Sequence, residues 1–136
     1  MRATPIALLI DSRYAALRYR CAIALYLLIL ILGSVPGARD DIGHVASGLV
    51  LHSIAYAGLT FLLFSGTQGT PTRRALQSVA TIVLMGALDE VVQSFVPYRN
   101  GAVSDWLVDC SASAVAGLLL WAFWPRMERA WQRRPA

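Results

Sequence analysis

The chain has 136 residues, enough for one domain. Its hydrophobic fraction of 57% and mean hydropathy of +0.55 exceed what so small a core can hide from water, so the surplus must face lipid. The net charge of +4 comes from twelve arginines and no lysine, set in short segments between apolar runs; without a contiguous basic face and stacking aromatics, this argues against a nucleic-acid partner.

Residues 1–20 form a leader carrying Arg2, Arg13, Arg18 and Arg20. From Ile6 to Arg18 it alternates loosely between apolar and charged positions, which suits either a helix lying on the membrane surface or a frayed end. The first apolar run is Cys21 to Val35, extendable back to Tyr19 and stopped by Pro36 and Gly37. A cleavable signal is the rival reading, since arginines precede the run and small residues follow it. The leader is long for a signal and the chain goes on crossing the membrane, which favours a retained helix.

The second run is Val45 to Ser65, closed by the turn-forming stretch 66–72. The third is Ala75 to Val96, ended by Pro97, and the fourth is Val103 to Trp124, ended by Pro125. These runs predict an all-α, integral-membrane four-helix bundle over residues 21–124, followed by a basic cytoplasmic tail, 125–136.

Arginine counts in short loops set the direction. The leader, the middle loop (Arg73, Arg74) and the tail (Arg126, Arg129, Arg133, Arg134) are rich in arginine. The other two loops have one each, Arg39 and Arg99, and the first adds Asp40 and Asp41. The expected topology is N-in/C-in, with both ends cytoplasmic in a bacterial inner membrane. An arginine- and alanine-rich composition without lysine is the compositional reason for expecting a bacterium.

Ionisable groups inside spans are costly and call for a functional hypothesis. Five occur here: His52, Asp89, Glu90, Asp105 and Asp109, with Gln93 beside them. At 1.5 Å per residue, His52 lies about 10 Å below the outer end of its span, Glu90 about 8 Å and Asp109 about 9 Å. Three helices therefore bring titratable groups to one level in the outer half. Asp105 and Asp109 are four apart and share a face, as do Glu90 and Gln93 at three. Asp89 and Glu90 differ by about 100°, so one of them points at the centre. The expectation is Glu90, which aligns with Gln93 and with Gly86 at i−4.

Each group also has a plain structural reading. Asp105 follows Ser104 at a helix start, where an anion is stabilising. His52 could be a hydrogen-bonded core histidine, and Asp89 a buried partner of Arg99. Their convergence in so short a chain favours a pocket. Gly48, Ala55, Gly58, Gly86 and Gly117, among other small residues, suit close helix packing. Trp106, Trp121, Trp124 and Trp131 read as interfacial anchors. Cys21 and Cys110 fall at opposite depths, too far apart to bridge, and read as buried small hydrophobes.

The polar segments resemble a known family. His52-Ser53-Ile54-Ala55-Tyr56-Ala57-Gly58-Leu59 is similar to the His-x-x-Ala-Tyr-x-x-Leu signature of VanZ-like membrane proteins. Asp89-Glu90-Val91-Val92-Gln93-Ser94-Phe95-Val96-Pro97-Tyr98-Arg99 resembles that family's Asp-Glu-x-x-Gln-x-Phe-x-Pro-x-Arg segment, and Ser104, Asp105 and the stretch 109–117 resemble its closing motif. The resemblance covers roughly 51–119. It departs where Gly48 and Leu49 replace an acidic-basic pair often found just before the histidine, and where Asp109 replaces a usual asparagine. An Asp40-x-x-x-His44 pair stands eight residues earlier in the chain. The family's namesake is associated with resistance to a glycopeptide antibiotic, which implies a role at the cell envelope and leaves the reaction open.

The first function expected is binding of, or chemistry on, the headgroup of an anionic envelope lipid or precursor. His52, Glu90 and Asp109 would be the catalytic groups, with His52 and Glu90 as a proton-transfer pair. Arg99 would take a phosphate or carboxylate, and Gln93, Asp105, Asp89 and Tyr56 would complete the binding site. No HExxH-like spacing supports a metal on His52, Glu90 and Asp109, and no cofactor is expected. The alternatives are a transporter or flippase of an envelope precursor, and a non-catalytic scaffold or stress-resistance factor. A homo-oligomer is a further expectation, since four helices enclose little space for a pathway.

Overall fold

A computed structural model describes residues 5–35, 47–97 and 102–133. Within them the chain is all-helical: α1 (Pro5–Ile10), a 3-10 turn (Ser12–Tyr14), α2 (Ala15–Gly33), α3 (Gly48–Gly66), α4 (Pro71–Ser94) and α5 (Val103–Gln132). Local chemistry sets the starts. Ser47 Oγ caps α3 by accepting from Val50 N, and Thr70 Oγ1 caps α4 by accepting from Arg73 N, with Pro71 at the first helical position.

Four helices are long and apolar enough to cross a membrane, and between 17% and 33% of each apolar window is buried inside the bundle. The rest faces outward, with Leu84 at 71% and Ile54 at 68% exposure. In water so much apolar surface would drive aggregation. In hydrocarbon it is the required exterior. The chain is a multi-pass membrane protein built as a four-helix bundle.

α3 is central: it packs on α2, α4 and α5, and α5 packs along α4. Ala22, Tyr26, Tyr56, Leu59, Leu63 and Ile82 form the core. Gly66 marks the closest crossing. A Cβ there would lie 2.6 Å from Tyr19 N and 2.9 Å from Tyr19 Cα, which are backbone atoms that cannot swing aside. Gly66→Ala is therefore expected to cost about 1–3 kcal/mol. Gly58, expected to serve close packing, has no neighbour within 4 Å of its would-be Cβ. Gly58→Ala should be neutral or gain up to about 1 kcal/mol of helix propensity, and thermal unfolding in detergent compares the two variants.

Several boundaries differ from the sequence expectation. The leader is helical rather than frayed, and α2 begins at Ala15, so Arg18 lies inside the bundle at 4% exposure. Its Nε and Nη2 donate to Ser65 O at 3.2 and 2.7 Å, and its Nη1 donates to Leu8 O and Asp11 O at 2.8 and 3.0 Å. One guanidinium thus serves the open C-terminal carbonyls of both α1 and α3. Beside it, the Arg13 side chain and amide bond to Asp11 and hold its carboxyl at about 2. A depressed carboxyl stabilises fully above its unfolded value of about 4, so this clasp is constant near neutrality and fades only as pH falls towards 2.

Pro125 does not end the last helix, which runs on to Gln132. Proline removes one donor and leaves the rest of the ladder intact, and the segment beyond it is anchored. Arg74 Nη1 donates to Glu128 Oε1 at 3.0 Å, its Nε donates to Phe64 O at 2.8 Å, and its guanidinium lies 4.5 Å from the Phe64 ring centre and 5.0 Å from that of Trp124. Trp124 is fully buried and donates to Glu128, so it is a core residue and not an interfacial anchor. Cys21, expected to be buried, is exposed on the bundle exterior, and Cys110 is half-buried; both are free thiols.

Candidate functional site

At the end of the bundle opposite these arginines, α3, α4 and α5 bring polar groups together. The buried stripe of α4 is Arg74, Ser78, Ile82, Gly86, Asp89 and Gln93, spaced three to four apart on one face. Asp89 therefore points at the centre, with Gly86 at i−3 and Gln93 at i+4. That corrects the expected inward Glu90. Asp89 is 1% exposed and accepts from the Tyr56 hydroxyl at 3.2 Å.

Glu90 lies to the side of this stripe. It accepts a hydrogen bond from Ala102 N, the residue capping α5, and so ties the end of α4 to the start of α5. His52 pairs with a different carboxylate from the one expected. Its Nδ1 is 2.9 Å from Asp109 Oδ1, a contact between α3 and α5, and among the described residues no hydrogen bond joins His52 to Glu90. The Asp109 side chain is fully buried while that of His52 keeps 16% exposure, so the imidazole is the accessible member. With the carboxylate accepting, Nδ1 carries the hydrogen and Nε2 is left as the basic nitrogen.

The surroundings fix this dyad. The rings of His52 and Tyr56, one turn apart on α3, are parallel within 6° with centres 6.0 Å apart. Gly86 opens the space on the other side: a Cβ there would meet Asp109 Oδ2 at 3.3 Å and Trp106 Cδ1 at 3.1 Å. Trp106 Nε1 donates to Val83 O at 3.0 Å, holding α5 against α4. Below, Thr60 Oγ1 donates to Tyr56 O at 2.7 Å and lies 2.9 Å from Ser113 Oγ. These two buried hydroxyls were not singled out in the sequence. Their spacing was the signal, since Thr60 is Tyr56 plus four and Ser113 is Asp109 plus four.

Among the described residues three buried carboxyl oxygens have no hydrogen-bond partner: Asp89 Oδ1, Glu90 Oε1 and Asp109 Oδ2. Orphaned buried polar atoms are costly and mark places where a ligand, water or proton completes the site. Asp105 sits in the first turn of α5, where its charge favours the helix N-terminus, and Gln93 is buried one turn beyond Asp89. Arg99, Asp40 and His44 lie outside the described residues. Among the described residues no three His, Cys, Asp or Glu side chains are grouped so as to hold a metal ion.

Compared with protein-family models, curated proteins and solved structures, the chain has no match.

Proposed function

We propose that this chain is a VanZ-like protein of the bacterial cytoplasmic membrane, N-in/C-in, that binds the headgroup of an anionic envelope lipid or precursor beneath the outer surface and performs acid–base chemistry on it. The observation that carries this reading is the 2.9 Å pair of partly accessible His52 and fully buried Asp109. A carboxylate on Nδ1 orients the ring and sets its tautomer, which leaves Nε2 to take or return a proton.

The unpartnered oxygens of Asp89, Glu90 and Asp109 suit a ligand that brings donors, such as the hydroxyls of a glycerol or sugar headgroup. Arg99 is the side chain that the sequence supplies for the anionic part. The two motifs His52 to Leu59 and Asp89 to Arg99 support the family assignment, and the arginine asymmetry supports the orientation.

The test is expression in a glycopeptide-susceptible bacterium. Wild-type protein should raise the inhibitory concentration, and His52→Gln, present in the membrane at wild-type amounts, should lose that rise. A His52→Gln protein that still protects would leave the scaffold reading standing. Labelled lipid precursor in proteoliposomes then separates the remaining two: altered headgroup means enzyme, unaltered lipid on the far leaflet means flippase.

A further inference from the structure

The helix pair that carries the dyad also forms a groove on the bundle exterior. It has a volume of about 600 Å³ and is lined by large side chains such as Leu49, Leu107 and Leu119 and by the small Ser53, Ala57 and Ala112. That is the size of an ordinary ligand pocket. Its lining is overwhelmingly apolar, and the Ser111 hydroxyl on its edge is already spent on Leu107 O at 2.7 Å. Leu49, Leu107 and Leu119 are 62%, 54% and 52% exposed, so no other described part of the chain covers them.

Depth identifies what does. On α3 the groove runs from Leu49, the second helical residue, to Ala57, a rise of about 12 Å; on α5 it runs from Leu107 to Leu119, about 18 Å. Half of a typical hydrocarbon core is about 15 Å. The groove therefore opens at the polar end of the bundle and, on α5, runs past that midpoint to about 24 Å below Val103, short of the far interface. A transmembrane helix of a second copy would need a seat along the whole span, and the lower turns of α3 contribute nothing to this one.

The upper part adjoins the site. Ser53 follows His52 and Val108 precedes Asp109, so the turns that present the dyad inward present the groove outward. We propose that the groove seats one acyl chain of a lipid from the leaflet at that end, with its headgroup reaching the His52–Asp109 pair. Substrate then enters sideways from the bilayer rather than from the aqueous face. The identity of the headgroup partner rests on the function proposed above; the acyl seat itself does not.

Native mass spectrometry of the full chain in detergent, titrated with dioleoylphosphatidylglycerol, tests the seat. Wild-type protein should retain one lipid through desolvation. Ala112→Trp should cut retention at least tenfold while remaining helical and unchanged in oligomeric state, and Ala57→Leu serves the same purpose should the tryptophan variant fail to fold. Leu84→Trp, on the lipid-facing side of α4 and outside the groove, should still retain lipid. Wild-type retention in both groove variants would overturn the acyl seat, as would a lipid-free wild-type dimer that Ala112→Trp converts to monomer, which would assign the groove to a second copy. Loss of lipid in the groove variants with full protection by His52→Gln would keep the seat and reject the acid–base reading.

Discussion

Asp89→Asn is expected to make the protein harder to unfold and at the same time inactive. The carboxyl of Asp89 is 1% exposed and, among the described residues, receives one hydrogen bond, from Tyr56. Among the described residues its second oxygen has no partner. A buried carboxylate with half of its acceptor capacity empty costs stability, because water once satisfied all of it. The amide keeps the shape and the acceptor for Tyr56 while removing the charge. The expected gain is about 1–3 kcal/mol, seen as a rise in Tm of several degrees in detergent. Loss of glycopeptide protection in the same variant would mark Asp89 as a group retained for function at the expense of stability. A less stable variant that still protects would make it a structural partner and remove it from the site.

The bundle was legible because lipid imposes a coarse rule. Apolar runs of about 20 residues must be helices, and four such runs give four spans. Boundaries were less legible, because they depend on what the helix ends touch. Pro125 reads as a terminator in isolation, yet Glu128 beyond it binds Arg74 and holds the helix together. The leader reads equally well as frayed or helical, and Arg18, which docks it, reads as one more loop charge. Counting arginines for orientation treats them as solvated. Arg18 and Arg74 are instead 4% and 6% exposed, and each bonds to another helix, Arg18 to Ser65 O and Arg74 to Phe64 O and Glu128.

The site was legible in height but not in pairing. Rise per residue placed His52, Glu90 and Asp109 at one level, since depth along a helix follows from counting. Direction around a helix depends on where the neighbours stand. A step of about 100° separates Asp89 from Glu90, and only the position of α3 and α5 decides between them. The small residues show the same limit. Gly86 and Gly58 look alike in the sequence, but one has Asp109 and Trp106 against it and the other has open space.

Arg18→Ala is expected to be the most damaging single change at the arginine-bearing end, costing about 3–5 kcal/mol. Four hydrogen bonds from one charged group end on Ser65 O, Leu8 O and Asp11 O, and bonds from charged donors are worth about 1.5–3 kcal/mol each before non-additivity. Ser65 O and Leu8 O belong to helix ends, where intrahelical donors run out, whereas Asp11 O also accepts from Tyr14 N at 3.1 Å. Truncation would also leave a void beside Ser65 and Ala15, where the backbones of α2 and α3 touch. Lysine should rescue only partly, because a single ammonium cannot span acceptors from two helices in the fixed fork of a guanidinium. The global readout is thermal unfolding in detergent. The local one is hydrogen exchange across α1, which Arg18→Ala should release while the amides of α4 stay protected. Unchanged protection in α1 would mean that its contact with the end of α5 holds it alone, and that Arg18 serves only α3.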